Sequence, residues 1–207
     1  MEYARSVIPE GEELFMVIEG KKTYTVADIE ALPEGERAEL IDGEMFMMAS
    51  PLFTHQDLLR WLLVRIDRYI SEREGNCQVL PAPFAVYIAD DQHNYVEPDI
   101  SVICDLEKLD KKGCHGAPDW IIEIVSPSSQ YMDYVRKLSL YQNTGVREYW
   151  LVDPERKNIT VYGFERKEGP YLYSFSDQVK AGIYEDLSID FGEYVFRDFA
   201  FRDFSEI

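Results

Sequence analysis

The sequence lacks long apolar runs and an excess of basic residues, and it does not begin with an apolar run. None of its 207 residues lie in a stretch approaching the roughly eighteen consecutive apolar residues of a membrane-spanning helix, so we expect no membrane association. The residues from Met1 to Arg5 do not lead into an apolar run and predict no signal peptide. Lys and Arg number 21 against 39 Asp and Glu, a net charge of −18 that excludes a global basic surface for nucleic acid. DNA binding would need a local basic patch or bound cations.

Cysteine is scarce, and its spacing bears on the redox compartment. Cys77, Cys104 and Cys114 stand far apart and form no Cys-x-x-Cys pair. An odd, sparse count argues against a disulfide framework or a zinc knuckle and for a reducing compartment. We therefore expect a cytoplasmic protein.

Several catalytic motifs are also missing from an otherwise ordinary globular composition. The sequence has no P-loop, no Gly-x-Gly-x-x-Gly and no Gly-x-Ser-x-Gly. With 46% apolar residues, a chain of this length buries about 70% of its surface in one domain. Residues 1–20 are acidic and weakly patterned, so we expect a loosely ordered lead-in there and a single domain over residues 21–207.

The apolar periodicity predicts at least two helices against a central sheet. A short helix is expected after Thr25 as N-cap, and a longer one opens with a capping box at Thr54 and ends near Gly75. A further helix is expected over residues 132–144, closed by Gly145.

Strand signals occupy most of the remaining chain. Asp42-Gly43 predicts a hairpin turn, and Pro81 and Pro83 predict an edge position or a bulge. The apolar run over residues 120–125 is typical of a strand buried on both faces. The aromatic tail over residues 189–204 is expected to be strand. Further strands are expected over residues 79–88, 95–104, 147–152, 159–164 and 171–175. Together these elements predict a mixed α/β domain.

Two acidic residues do not fit a purely structural interpretation. Glu123 lies among apolar neighbours, where an ionised carboxylate costs several kcal/mol unless it is paired or binds a metal. The alternative is a strand-end Glu that reaches water or an Arg. Asp99 shares one face of the preceding predicted strand with Glu97 and Ser101. Two neighbouring strands that each offer one acid can hold a hard divalent cation.

Three further residues have both a functional and a structural interpretation. Lys137 follows Asp133 by four positions, which is the spacing of a surface ion pair, but the same helix could present its ammonium to the acids. Glu39 opens a strand. His55 opens the long helix, where a lone His is typically a surface or core residue.

A series of short motifs runs through the chain in a characteristic order. They are Tyr24-Thr25-Val26, Glu39-Leu40-Ile41-Asp42-Gly43-Glu44, Ala49-Ser50-Pro51 with His55, Glu97-Pro98-Asp99-Ile100, Ile122-Glu123-Ile124-Val125-Ser126-Pro127-Ser128, Lys137-x-x-x-Tyr141 and Gly145-Val146-Arg147-Glu148-Tyr149-Trp150-Leu151-Val152-Asp153-Pro154. Their order and spacing resemble the Uma family, whose members are assigned as endonucleases of the PD-(D/E)XK nuclease superfamily. The resemblance covers about residues 22–192. It implies a restriction-endonuclease-like α/β fold with a mixed central sheet, flanking helices and additional antiparallel strands.

The resemblance also implies a metal site. Pro98-Asp99 matches the PD element, and Glu123 matches the acidic residue of the second motif. Asp99 and Glu123, with the backbone carbonyl of Ile124, would then hold Mg²⁺ or Mn²⁺.

The remaining catalytic positions follow from the same resemblance. Glu39 and His55 match the family's early glutamate and histidine. Val125 stands where the superfamily often has Lys, and the family's lysine from the following helix matches Lys137. Lys137 would orient the attacking water or stabilise phosphate charge. Glu39 would complete the metal shell or position the water, and His55 would act on a proton or contact phosphate.

The resulting hypothesis is a metal-dependent nuclease that hydrolyses phosphodiester bonds in DNA, with a homodimer expected from family analogy. A non-catalytic dimeric interaction protein on a nuclease scaffold is the alternative, with the aromatic tail as its interface or as simple core closure. A hydrolase of small phosphate esters would suit the acidity but has no motif of its own. The basic residues that could line a DNA-binding edge are Arg60, Arg65, Arg68, Lys108, Lys111 and Lys112.

Overall fold

A computed structural model describes residues 22–89 and 91–197 of the protein. The predicted lead-in over residues 1–20 lies outside this range. The helices of the described residues are α1 (Val26–Glu30), α2 (Phe53–Glu72), a π-helix (Met132–Lys137) and α3 (Leu138–Thr144), with 3₁₀ turns at Leu106–Lys108 and Phe191–Glu193. The strands are β1 (Ala38–Ile41), β2 (Glu44–Met47), β3 (Gln78–Pro81), β4 (Val86–Tyr87), β5 (Ile100–Ile103), β6 (Cys114–His115), β7 (Trp120–Ile124), β8 (Glu148–Asp153), β9 (Asn158–Gly163), β10 (Glu168–Ser174), β11 (Gln178–Lys180) and β12 (Ser188–Asp190).

The central sheet has six strands in the order β10-β9-β8-β7-β5-β3. Its neighbours pair antiparallel, except that β7 and β8 are parallel. A parallel pair needs a crossover connection, and the π-helix and α3 provide it between β7 and β8. Smaller pairs form between β1 and β2, β4 and β6, and β11 and β12. The predicted mixed α/β architecture is confirmed.

Side-chain alternation along β7 divides the core into two faces. Trp120 and Ile122 point to a first face, where α2 and the β11–β12 pair cover them. Ile121 and Val125 point to a second face, which α3 and the small strands β1, β4 and β6 cover. Burying each such large apolar side chain stabilises the fold by about 1.5–3 kcal/mol. Glu123 takes its place on the second face by the same alternation.

The predicted first helix and first hairpin are confirmed. Thr25 is the N-cap of α1 and forms a capping box with Asp28. Asp42 and Gly43 join β1 to β2 with φ angles of 51° and 74°. Positive φ at both central residues gives a turn whose twist matches that of the flanking strands.

The long helix occupies the predicted part of the chain, but the residues at its two ends differ from the predicted caps. α2 begins at Phe53 with Leu52 as N-cap, so Thr54 lies inside the first turn and does not cap it. At the other end Glu74, with a φ of 51°, takes the left-handed position that was expected for Gly75. Among residues 22–89 and 91–197, no helix is both long and apolar enough to cross a membrane.

The helix predicted over residues 132–144 has an unexpected first half. Its first six residues form a π-helix, and only Leu138–Thr144 is α-helical. Gly145 ends it with a φ of 98°, as predicted. The wider turn of a π-helix is common at functional sites because it changes the direction in which side chains project.

Three strand predictions are too long, each for a local reason. The strand expected over residues 79–88 stops at Pro81 and resumes at Val86, because prolines donate no ladder hydrogen bond. The strand expected over 95–104 joins the sheet only from Ile100, after Pro98. In the tail, regular pairing among the described residues ends at Asp190, where a 3₁₀ turn begins.

The first aromatic residues of the tail close the core. Phe191 and Tyr194 are buried on the first face, and Phe196 packs against the same cluster. Their rings contact Phe175 at centroid distances of 5.1 to 6.1 Å. These three contacts favour the interpretation of the tail as core closure. The other aromatic residues of that prediction, Phe199, Phe201 and Phe204, lie outside the described part of the chain.

The expectation of unpaired cysteines is wrong for two of the three. Cys77 and Cys104 form a disulfide, and Cys114 is a buried free thiol. The antiparallel register pairs Gln78 with Ile103, so the next residues outward on β3 and β5 face each other. A separation of 27 residues gave no sign of this contact, because the sheet pairing alone creates it.

Candidate active site

Asp99 and Glu123 meet because Asp99 directly precedes β5 and Glu123 lies on its neighbour β7. β5 and β7 pair Ile100 with Ile122, which places the preceding Asp99 beside Glu123. The Ile124 N–H donates to Asp99 Oδ2 at 2.7 Å, and the Asp99 N–H contacts Glu123 Oε2 at 3.4 Å. The two acids that the sequence singled out therefore share one end of the sheet.

Lys137 reaches the same point from the π-helix. Its Nζ lies 2.9 Å from Glu39 Oε1, 2.9 Å from Glu123 Oε1 and 3.9 Å from Asp133 Oδ1. All four side chains are at most 7% exposed. The surface ion pair considered from the sequence is therefore wrong, since Asp133 and Lys137 are buried against the sheet.

Glu39 holds the lysine and the backbone before Asp99 together. Besides Lys137, its Oε1 accepts the N–H of Glu97 at 3.0 Å. Glu97 itself turns away from the cluster, accepting from Arg37 Nε at 2.8 Å and from the Tyr95 hydroxyl at 2.7 Å. Glu97 and Asp99 therefore do not share one face as predicted. Pro98 lies between them, and their side chains contact different partners.

His55 completes the set through Asp99. Its Nε2 lies 3.0 Å from Asp99 Oδ2, and its Nδ1 is buried without a partner among the described residues. An ionised carboxylate only accepts, which assigns the hydrogen to Nε2. Burial lowers the pKa of His55, but the hydrogen bond and charge of Asp99 outweigh it and raise that pKa overall.

The cluster holds more negative than positive groups. Desolvation raises the pKa of Glu123 well above its ordinary value, against the lowering effect of Lys137. Desolvation likewise raises the pKa of Asp133 to about 6. Desolvation lowers the pKa of Lys137, but the charges of Glu123, Glu39 and Asp133 more than offset it and raise that pKa well above normal. One buried ammonium therefore does not neutralise the acids around it, so their remaining charge is compensated by protons or by a second cation.

The remaining donor atoms suit a hard divalent cation. Glu123 Oε1 is taken by Lys137 and Tyr141, whereas Oε2 makes only the long contact to Asp99. Asp99 Oδ1 makes no hydrogen bond to the described residues, and the side chain is 16% exposed. Ile124 lies beyond the last β5–β7 pair, so its carbonyl is at the same sheet end. Oxygen ligands of this kind fit Mg²⁺ or Mn²⁺.

The protein offers only a few groups that could bind a metal ion at this site. Across residues 22–89 and 91–197, no three His, Cys, Asp or Glu side chains are arranged as a ready metal cage. Two carboxylates and a carbonyl would leave further ligand positions to water and substrate, as is usual where proteins bind Mg²⁺.

Tyr141 is a site residue to which the sequence analysis gave no role. Its hydroxyl donates to Glu123 Oε1 at 2.8 Å, and the side chain is fully buried. A usable signal was present, because Tyr141 follows Lys137 by four residues and both therefore project from one side of a helix.

The predicted basic edge does not form a row of free charges. Arg60 pairs with Asp57 and Arg65 with Glu193. The other contacts are those of Lys112 with Glu30 and of Lys108 with the Ala117 carbonyl. Of the six residues expected there, only Arg68 and Lys111 have no such contact with the described part of the chain.

Three comparisons with known proteins found relatives of this chain. The family model Uma2, described as "Putative restriction endonuclease", matches residues 26–184. An uncharacterized protein of Synechocystis sp. is 25% identical over 171 residues, which cover 80% of this chain and 86% of that protein. A crystal structure from Anabaena variabilis, described as "a putative nuclease belonging to DUF820", superposes with a TM-score of 0.67 at 19% identity over 81% of this chain and 95% of that one. This likeness shows a shared fold.

Proposed function

The chain belongs to the Uma2 family, and from that premise we propose that it is a metal-dependent endonuclease that hydrolyses phosphodiester bonds in DNA. Family membership and the nuclease-like fold support a nuclease function. The metal and the DNA substrate are the further steps of the proposal. One observation carries them: Asp99, Glu123 and Lys137 converge at one sheet end with Glu39 and His55 in contact.

Asp99, Glu123 and the Ile124 carbonyl are the groups that would hold Mg²⁺ or Mn²⁺. Such a cation polarises a phosphoryl oxygen and lowers the pKa of its bound water. The protein contributes a cluster of buried acids whose negative charge a bound cation would compensate in place of protons. Tyr141 and Lys137 bind Glu123 Oε1 and so direct Oε2 to the sheet end that holds Asp99.

Lys137 is the group best placed to stabilise charge on the phosphate. An ammonium has three donors, of which Glu39 and Glu123 take two. The third hydrogen is left for a water or a phosphoryl oxygen. Glu39 therefore acts by fixing Lys137, and His55 acts by fixing Asp99, since its Nε2 is committed to that carboxylate.

The test is cleavage of supercoiled plasmid and of single-stranded DNA in Mg²⁺ or Mn²⁺. We expect cleavage by the native protein, and a loss of about 100-fold or more in Glu123→Gln, because the variant keeps the side-chain shape but removes one metal ligand. Glu165→Gln, an exposed acid paired with Arg147, serves as the matched control and should cut normally.

Equal cleavage by the native protein and Glu123→Gln would remove this site from the proposal. Absence of cleavage with either cation on either substrate would contradict the nuclease activity itself. The cytoplasmic location and the homodimer stay predictions, and sedimentation of the purified chain tests the second.

A further inference from the structure

The disulfide closes one end of the pairing between β3 and β5. Among the described residues, β3 is the last strand of the central sheet and pairs there with β5 alone. Its regular pairing covers the four residues Gln78–Pro81. Cys77 directly precedes β3 and Cys104 directly follows β5, so their bond lies just outside the first pair of this ladder. A short edge strand opens readily, because few hydrogen bonds and buried contacts hold it, and the disulfide opposes that opening.

The other end of β3 holds the backbone of a site residue. Ala82, the first residue after β3, donates its N–H to the Asp99 carbonyl at 3.0 Å. The last regular pair of the two strands joins Pro81 to Ile100, so this hydrogen bond continues their pairing up to the site. β3 therefore connects the disulfide at one end to Asp99, a proposed metal ligand, at the other.

Both cysteines of the disulfide are within reach of a reductant in solution. Cys77 and Cys104 are half-buried, and the exposed residues 71–76 and 105–107 adjoin them. Cys114, the third cysteine, is a fully buried thiol. Because thiol–disulfide exchange depends on access to a sulfur, a reductant acts on the Cys77–Cys104 bond, and Cys114 takes no part.

We propose that the Cys77–Cys104 disulfide is a redox-sensitive lock on the active site. The oxidised bond keeps β3 paired and Asp99 in place, and its reduction by a dithiol loosens β3 and weakens metal binding and cleavage. The effect on cleavage rests on the proposed nuclease function, whereas the effects on β3 and on metal binding do not.

The reduction is a two-electron exchange with the dithiol. One thiolate of the reductant attacks a sulfur of the disulfide, the Cys77–Cys104 bond breaks, and a mixed disulfide forms. The second thiolate then attacks the reductant's own sulfur in the mixed disulfide and releases the other cysteine. The dithiol leaves oxidised as a disulfide, and its two protons pass to the sulfurs of Cys77 and Cys104.

Other contacts keep β3 and β5 attached after reduction. Val79 packs against the first face of the core and Leu80 against the second. The Cys104 N–H donates to Asp119 Oδ2 at 2.8 Å, so the end of β5 is also held without the disulfide. The reduced protein is therefore loosened at β3 and still folded.

The experiment compares the oxidised and the reduced full chain. Alkylation under denaturing conditions should count one thiol per chain in the oxidised protein and three after treatment with dithiothreitol. The reductant is then removed without admitting air. Plasmid cleavage in Mn²⁺ should have a kcat/KM about 10-fold lower in the reduced protein, because a small displacement of a site residue lowers the rate steeply. Reoxidation should restore the rate.

Serine variants separate the disulfide from other effects of the reductant. Cys77→Ser and Cys104→Ser should each cut at the rate of the reduced protein and show no response to dithiothreitol. Cys114→Ser is the matched control, since its hydroxyl can keep the hydrogen bond to the Gly116 carbonyl. It should cut at the native rate and lose that rate on reduction as the native protein does.

Three readouts do not depend on cleavage. Calorimetry should show weaker Mn²⁺ binding after reduction, because Asp99 is displaced. Hydrogen exchange measured by NMR should be faster at the Ala82 amide, which donates to the Asp99 carbonyl. Thermal unfolding should stay cooperative, with a midpoint about 5–10 °C lower.

Each other outcome overturns the inference. Three free thiols in the protein purified in air would show that the bond does not form. Equal cleavage by the oxidised and reduced forms, abolished in both by Glu123→Gln, would leave the nuclease intact but contradict the lock. Loss of cooperative unfolding on reduction would assign the disulfide to the whole fold and not to the site. If neither form cuts DNA, the proposed nuclease fails, and unchanged Mn²⁺ binding and Ala82 exchange would separately contradict the lock.

Discussion

At the scale of single residues, the site depends on how two oxygens of one carboxylate are divided. Glu123 gives Oε1 to Lys137 and Tyr141 and keeps Oε2 toward Asp99. Asp99 divides its oxygens in the same way, since Oδ2 receives His55 and the Ile124 N–H. Each acid is thus held rigidly by one oxygen and available through the other, which is the pre-organisation that a metal site needs.

Tyr141→Phe tests this division without changing the packing. The variant loses one hydrogen bond to a carboxylate, a contribution of about 1.5–3 kcal/mol, so metal-dependent cleavage near neutral pH should fall about 10-fold or more. A hydrogen bond to the charged form lowers a pKa, so its loss raises the pKa of Glu123 further. The acidic limb of the pH–rate profile should therefore move to higher pH.

The control for this variant is Tyr162→Phe, a half-buried tyrosine that packs on the same face of the sheet. It should preserve both the rate and the profile. A Tyr141→Phe enzyme with a native pH–rate profile would show that the hydroxyl does not act on Glu123.

At the scale of elements, four segments from different parts of the sequence deliver the acids and the lysine of the site to one end of the sheet. β5 and β7 bring the two acids, β1 brings Glu39, and the π-helix brings Asp133 and Lys137. The acids were predictable because Glu123 is polar within an apolar run and Asp99 is an acid on the predicted strand that precedes it. The π-helix was not predictable, because its residues have the same apolar spacing as an ordinary helix. The disulfide was missed for a related reason, since only the β3–β5 register joins Cys77 to Cys104.

The π-helix can be tested by shortening it. Deleting the exposed Val135 should convert the segment to an α-helix, because a π-helix holds one residue more per turn. Asp133 and Lys137 would then stand three apart, and Lys137 would leave Glu39 and Glu123. We expect a loss of about 100-fold or more in cleavage, with cooperative thermal unfolding retained.

Val135→Ala is the matched control, since it shortens the same exposed side chain but keeps the residue count, and it should cut normally. Full activity in the deletion variant would contradict the role given to the π-helix. The cleavage rates and circular dichroism melting curves of the two variants together provide the measurement.

At the scale of the whole molecule, the net charge of −18 and the buried acids both oppose the binding of a polyanion. A protein with this charge repels polyanions at long range, so its substrate must be bound through short-range contacts and a cation. Composition alone predicted that duplex DNA would bind weakly unless a local basic patch exists. The fold adds that Arg60, Arg65 and Lys112 pair with nearby acids, so these three residues do not supply such a patch.

Calorimetric titration with Mn²⁺ tests the central claim most directly, namely that Asp99 and Glu123 hold a divalent cation. Native protein should bind one ion per chain at pH 7.5. It should bind more weakly at pH 5.5, because desolvation raises the pKa of Glu123, and that of Asp133 to about 6, so the cation must displace protons there. Glu123→Gln should lose the binding. The account would be contradicted if the native protein bound no Mn²⁺. It would also be contradicted if Glu123→Gln bound Mn²⁺ as tightly as the native protein does at both pH values.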